Sequence, residues 1–211
     1  MTGHRRNQLI SQSKLMGVRL SNSQAKLLVR FGDELLKWNR AYNLTGAGNW
    51  DELQVAHLLD CLALRPWLSG ERVVDVGTGA GLPGLPLAIA EPEKEFALLD
   101  SNAKRTRFVT HCVVELGLAN VEVVRSRSED YRPTQAFDTV VTRAFATLGE
   151  YLSKAGHLCR DGGRVLAMKG RYPENELREL PAHWDATVNR IEVPELNRER
   201  HIVVLQRKQD L

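Results

Sequence analysis

The sequence predicts an α/β fold: a mostly parallel sheet covered by helices, preceded by a helical extension. Three observations carry that prediction. From residue 71 onward, short apolar runs alternate with helical patterns, the rhythm of parallel strands joined by crossover helices. The first run leads into a glycine-rich turn, VVDVGTGAGLPG at 73–84, where a strand hands over to a helix. The last two runs, 186–193 and 201–207, are separated by the seven residues 194–200, too few for a helical crossover, so they must pair antiparallel.

The elements follow in order. Residues 8–16 form a short helical pattern ended by Gly17. Ser21 and Gln24 have the spacing of a capping box, and Leu27, Leu28, Phe31, Leu35 and Trp38 recur at helical intervals, predicting a helix over 22–41. Asn43-Leu44-Thr45-Gly46-Ala47-Gly48 breaks it. A further helix is expected over 51–64, with Leu53, Ala56, His57, Asp60 and Leu64 on one face and Pro66 as its stop. Strands are then expected at 72–76, 95–99, 121–124, 139–142 and 164–169. Helices should follow all of these but the third, which leads into a loop. No Ser-, Gly- or Pro-rich linker separates the two parts. Residues 1–66 are therefore expected to form a helical extension packed on a ligand-binding domain of 67–211.

Composition narrows the class. The 211 residues suit one domain with an appendage, and 43% hydrophobic with 26% charged residues is ordinary for a soluble globular chain. No apolar run approaches the ~20 residues of a membrane span, and the start MTGHRRNQLISQSK lacks the apolar core of a signal peptide. Cys61, Cys112 and Cys159 are dispersed and form no C-x-x-C, so the expectation is a reducing cytosol, no metal site and no disulfide framework. Each cysteine lies in a helical pattern, where it serves as a small buried hydrophobe. Nothing in the pattern marks a large apolar surface, so a monomer is expected. The net charge of +3 is unevenly placed: residues 1–45 hold eight Lys/Arg and two acids, the remainder 21 and 24. That N-terminal excess is either a solvated helix surface or a footprint for nucleic acid.

The glycine turn admits two cofactors. Gly79 to Gly84 fits G-x-G-x-x-G, a dinucleotide pattern, but Asp75 and Gly77 precede it as D-x-G. No Lys-Ser/Thr follows Gly84, which excludes a P-loop. Pro83 and Pro86 remove backbone donors where a pyrophosphate needs them. Asp75 adds negative charge, unhelpful to a pyrophosphate and useful to a ligand with an ammonium group, such as S-adenosylmethionine. Asp100 ends the second strand 19 residues after Gly81, placed to accept both ribose hydroxyls, although Asp100-Ser101 also reads as a helix cap. Ser128 and Glu129 follow the third strand, where adenosylmethionine enzymes flank the adenine.

Several segments carry a resemblance. They are WNRAYNLT (38–45), His57 with Leu59-Asp60, VVDVGTGAGLPGLPLAI (73–89), LLDSNAKRTRF (98–108), SRSED (126–130), TRAFA (142–146), AMKGR (167–171) and RERHIVVLQRK (198–208). In these the sequence resembles the ribosomal small-subunit methyltransferase G family, also called glucose-inhibited division protein B, from about residue 25 onward. The resemblance implies a class I, Rossmann-like methyltransferase fold with seven strands, the last antiparallel. It implies methyl transfer from S-adenosylmethionine, leaving S-adenosylhomocysteine, to N7 of one guanosine in the decoding-region loop of bacterial 16S ribosomal RNA. Residue by residue it implies cofactor contacts at Gly77, Leu82, Ser128, Glu129 and Arg143, with Asp100 on the ribose. Gly79 and Ser101, in the same segments, complete the expected cofactor set. Expected partners are 16S ribosomal RNA or the small ribosomal subunit.

The chemistry allowed is narrow. Exocyclic-amine methylation uses an Asp/Asn-Pro-Pro-aromatic segment after strand four, where this chain reads Thr142-Arg143-Ala144-Phe145-Ala146. Pyrimidine C5 methylation needs a nucleophilic cysteine, and none here has a Pro-Cys context. Guanine N7 carries an in-plane lone pair and no proton, so no general base is expected. Arg143, Lys169 and Arg200 are candidates to read the base through N7 and O6. Asn43 and His57 are candidates for the substrate cleft, and Lys104 and Arg105, with Arg107, for phosphates. Each has a plainer alternative: a helix cap for Asn43, a structural hydrogen bond for His57, surface ion pairs for the cations. Competing functions are a small-molecule methyltransferase with the same cofactor fold, a nucleotide-dependent oxidoreductase and a catalytically silent cofactor sensor.

Overall fold

The computed structural model describes residues 2–143 and 147–208. Helix α1 spans Thr2–Leu15, longer than its apolar pattern predicts, and α2 spans Asn22–Tyr42. The capping box forms: Gln24 N donates to Ser21 Oγ at 3.1 Å and Ser21 N donates to Gln24 Oε1 at 2.8 Å. Asn43 ends α2 in the left-handed region, φ 49°, its N–H returning to Asn39 O. The cap reading of Asn43 therefore accounts for its backbone.

The next helix is not one continuous α-helix over 51–64. α3 (Trp50–Leu53) starts at the Asn49 cap, the chain widens into a π-helical segment at Gln54–Leu59, and α4 (Asp60–Leu62) closes it. Such widened turns are frequent at functional sites, and apolar spacing cannot reveal them.

The rest is the alternating unit: β1 (Arg72–Val76), α5 (Gly84–Ala90), β2 (Glu95–Leu99), α6 (Ala103–Leu116), β3 (Val121–Val124), β4 (Phe137–Thr142), α7 (Leu148–Ala155), β5 (Cys159–Lys169), α8 (Glu174–Arg178), β6 (Trp184–Ile191) and β7 (Arg200–Arg207). They form a seven-stranded sheet in the order β3-β2-β1-β4-β5-β7-β6. β7 runs antiparallel to both neighbours, and the other pairs are parallel. β5 begins at Cys159, so that cysteine opens a strand rather than sitting in a helix as its pattern implies. All three thiols are buried and unpaired. Burial pushes Cys61 up to about 12 and Cys159 up to about 11, which keeps both protonated and inert.

Side chains alternate across the sheet. Val73, Leu98, Val141, Leu166 and Ile202 face one apolar cluster; Val74, Leu99, Val140, Val165 and Val203 face the other. The first cluster continues into Leu9, Phe31 and Leu53, so the N-terminal helices close one face of the sheet. Strand order reverses between β1 and β4, the switch point at which such sheets open a crevice beyond the strand ends.

Candidate functional site

The turn after β1 is stitched to the end of β2. Gly77 N and Thr78 N both donate to Leu99 O, at 2.8 and 3.0 Å, and Gly79 N donates to Asp100 Oδ2 at 2.9 Å. Asp100 Oδ1 accepts from Asn102 N at 2.8 Å, and Asn102 caps α6. Asp100 thus ties the glycine turn to the next helix while lining a cleft of about 260 Å³ with Gly77, Ser101, Ser128, Glu129 and Lys154. Gly77 has φ +71°, and a Cβ there would meet no atom within 4 Å; the turn leaves open space toward this cleft.

Asp75 works from beneath. Its side chain is fully buried, and its Oδ2 accepts from Thr78 Oγ1 at 2.6 Å and Gly84 N at 2.8 Å. Instead of presenting charge to a ligand, as its position in the motif suggests, it pins the turn to the start of α5. Burial raises its carboxyl to about 6. The same bonds occupy the helix start. Gly84 N is taken by Asp75, Leu85 N by Gly81 O, and Pro86 has none. All seven residues of α5 are buried. No N–H of that first turn is left to hold a pyrophosphate.

Leu82, expected at the cofactor, packs in the main apolar cluster under the turn. Ser128 is buried, and its hydroxyl donates to Glu129 Oε2 at 3.0 Å. Glu129's own backbone N–H, then that hydroxyl, hold its carboxyl below the usual range. Arg105 lies 3.6 Å from Asp100 and lines this cleft, while Lys104 is exposed at the first turn of α6.

A second cleft, also about 260 Å³, opens on the β4–β5 side, lined by His57, Asp60, Arg143, Lys169, Arg198 and Arg200. Thr142 Oγ1 donates to Val76 O at 3.1 Å, tying the end of β4 to the end of β1 between the two clefts. Here a chain of polar contacts fixes Arg143. Its Nη1 donates to His57 Nδ1 at 3.0 Å, which assigns the proton to Nε2, 2.6 Å from Thr45 Oγ1. Burial, then the charges of Arg143, Arg198 and Arg200, push His57 down to about 4. Arg200 Nε donates to Asp60 Oδ1 at 2.8 Å; these side chains are 14% and 2% exposed. Lys169 pairs with Glu176 at 2.7 Å, and the same Glu176 oxygen accepts from Leu148 N.

The structure therefore gathers Gly77, Asp100, Ser101, Ser128 and Glu129 in one cleft, with Gly79 bonded to it. It places Arg143, His57, Lys169 and Arg200 in another. Asn43 lies exposed at the end of α2. Ala144, Phe145 and Ala146, read from the sequence as the segment after strand four, lie outside the described residues. Sequence reasoning did not single out Lys154 for the first cleft, or Thr45, Asp60 and Arg198 for the second. Asp60 left one signal, a carboxylate on a helical face shared with Leu53, Ala56, His57 and Leu64; Lys154 left none, since its i,i+4 spacing to Glu150 reads as a surface pair. Among the described residues, no group of three His, Cys, Asp or Glu could hold a metal, and no helix is long and apolar enough to cross a membrane.

Known proteins match this chain in sequence and in fold. A family model described as rRNA small subunit methyltransferase G matches residues 24–203. The chain is 51% identical over 193 residues to the ribosomal RNA small subunit methyltransferase G of Nitrosococcus oceani, covering 91% of this chain and 90% of that protein. It is 44% identical to the Escherichia coli protein of the same name, covering 95% and 97%. Solved methyltransferases share the fold. The O-methyltransferase TomG from Streptomyces achromogenes, solved with SAM, gives a TM-score of 0.58 at 17% identity, over 84% of this chain and 90% of that one. TrmN from Thermus thermophilus gives 0.56 at 22%, over 72% and 48%. The fold is that of class I methyltransferases, and the chain belongs to the ribosomal RNA small subunit methyltransferase G family.

Proposed function

We propose that the chain transfers a methyl group from S-adenosylmethionine to N7 of a guanosine in the decoding-region loop of 16S ribosomal RNA. The observation that carries the reading is the near full-length likeness, at 44–51% identity, to methyltransferases named for the small-subunit RNA. The chemistry of the first cleft fits the cofactor. Space above Gly77 and the adjacent Asp100 suit an adenosine with its ribose hydroxyls, and the spent donors of α5 speak against a dinucleotide. Gly77, Gly79, Asp100 and Ser101 would hold the ribose side, Ser128 and Glu129 the adenine side, and Arg143 would border the reacting end. Bound there, adenosylmethionine supplies an already activated methyl group.

What remains for the protein is alignment and the exclusion of water. Arg143 is held in place by His57, which is itself held by Thr45. His57 cannot act as a base: its Nδ1 lone pair is spent on Arg143 and its affinity for a proton is low. Guanine N7 asks for no base, so site and reaction agree.

The test is labelled methyl transfer. Adenosylmethionine carrying a tritiated methyl group, incubated with the protein and naked 16S RNA, assembling particles or mature small subunits, is expected to label RNA in at least one of these. Label in none of them, with turnover on small molecules instead, would favour the small-molecule reading.

A further inference from the structure

We infer that Asp60 identifies the target base as guanine, its carboxylate accepting from the base's N1–H and N2–H₂ while Arg200, which it holds, donates to O6. This rests on the reading that N7 is the methylated atom. That reading changes which atoms can be recognised. The N7 lone pair must point at the incoming methyl group, so an Arg or Lys bonded to N7 would block the reaction. Readout through N7 and O6, the obvious choice for a guanine, loses its N7 half. What is left is O6, an acceptor, and the Watson–Crick edge, which presents two donors.

Donors on the base require an acceptor on the protein. The polar lining of the second cleft is nearly all cationic, through Arg143, Lys169, Arg198 and Arg200. Both ring nitrogens of His57 are engaged. Asp60 is the one carboxylate among the described lining residues. It is 2% exposed, and only its Oδ1 is bonded, to Arg200 Nε. Among the described residues, its Oδ2 accepts no hydrogen bond. Oδ2 keeps some accessible surface where Asp60 lines the cleft, so a bound guanine edge would supply the donors it lacks. Adenine would set its N1 lone pair against the same carboxylate, so the group that accepts guanine also repels adenine.

The experiment compares small subunits carrying guanosine or inosine at the target position. Inosine keeps O6, N7 and N1–H and lacks only the N2 amino group. Wild-type kcat/KM is expected to fall roughly tenfold or more on inosine, the loss of one hydrogen bond to a charged acceptor. Asp60→Asn should lower the guanosine rate and bring the guanosine-to-inosine ratio to within about twofold. Arg200→Gln should slow both substrates by similar factors and leave the ratio high. Wild-type rates on guanosine and inosine that agree within twofold would overturn the proposal, and that arm does not depend on any variant folding. So would an Asp60→Asn enzyme that keeps the wild-type ratio, since Asp60 would then only hold Arg200. No transfer to guanosine N7 at all would remove the underlying reading, and this one with it.

Discussion

His57 shows what a single residue contributes. It lines the second cleft, bridges Thr45 and Arg143, and sits among three arginines. Its pKa is lowered from 6.5 to about 4, so the unfolded chain binds that proton more readily than the folded one. The stability His57 contributes is complete above pH 6.5 and drains away as pH falls through 4. Asp75 has the opposite sign: raised from 3.8 to about 6, its contribution is complete below 3.8 and is lost as pH rises through 6. An NMR titration of the folded protein should find the His57 ring neutral down to about pH 5; a midpoint near 6.5 would show that the ring is not buried against Arg143. At this scale the sequence was partly legible. Asp100 and Gly77 stood out because a strand-end acid and a motif glycine have definite jobs. The partnership of residues 86 positions apart, His57 and Arg143, leaves no local trace.

At the level of elements, the glycine turn is the part most fully written in the sequence. Its strand, helix and prolines lie where the pattern places them, and Pro86 does remove a donor. What the pattern misassigned was Asp75, whose carboxylate faces inward, because a motif cannot tell which side of a loop a side chain takes. The turn's role can be separated from its strain. Gly77 and Gly117 have similar left-handed backbones, φ +71° and +65°, and a Cβ meets nothing within 4 Å at either. Gly117 caps the far end of α6, whereas Gly77 lines the first cleft. Alanine at either position should cost about 1–2 kcal/mol of stability. Calorimetry should then show adenosylmethionine binding weakened at least about tenfold by Gly77→Ala and unchanged by Gly117→Ala. Equal affinities in the two variants would place the cofactor elsewhere. The π-helical segment at Gln54–Leu59 was not legible, since its extra residue per turn is a tertiary outcome.

Across the whole molecule, the two clefts flank the end of β1, one toward β2 and β3, the other toward β4 and β5. That division follows from the reversal of strand order, which the alternation of strands and helices predicts in kind, while the pairing of β7 between β5 and β6 is settled by the sheet itself. The basic excess of the first 45 residues is partly structural. Arg5 pairs with Asp33 at 2.9 Å and lies 4.5 Å over the Trp50 ring, and Arg30 donates to Glu115 O at 2.8 Å, so these two spend charge on joining elements. Lys14, Arg19, Lys26 and Arg40 remain exposed. The central claim is that the paired clefts bring an activated methyl group to guanine N7. The measurement that tests it most directly is site mapping: small-subunit RNA treated with the protein and cofactor, then borohydride and aniline, which cleave at 7-methylguanosine. One new cleavage in the decoding-region loop, dependent on both protein and adenosylmethionine, is the predicted result. Methyl label that enters the RNA without any such cleavage would contradict it.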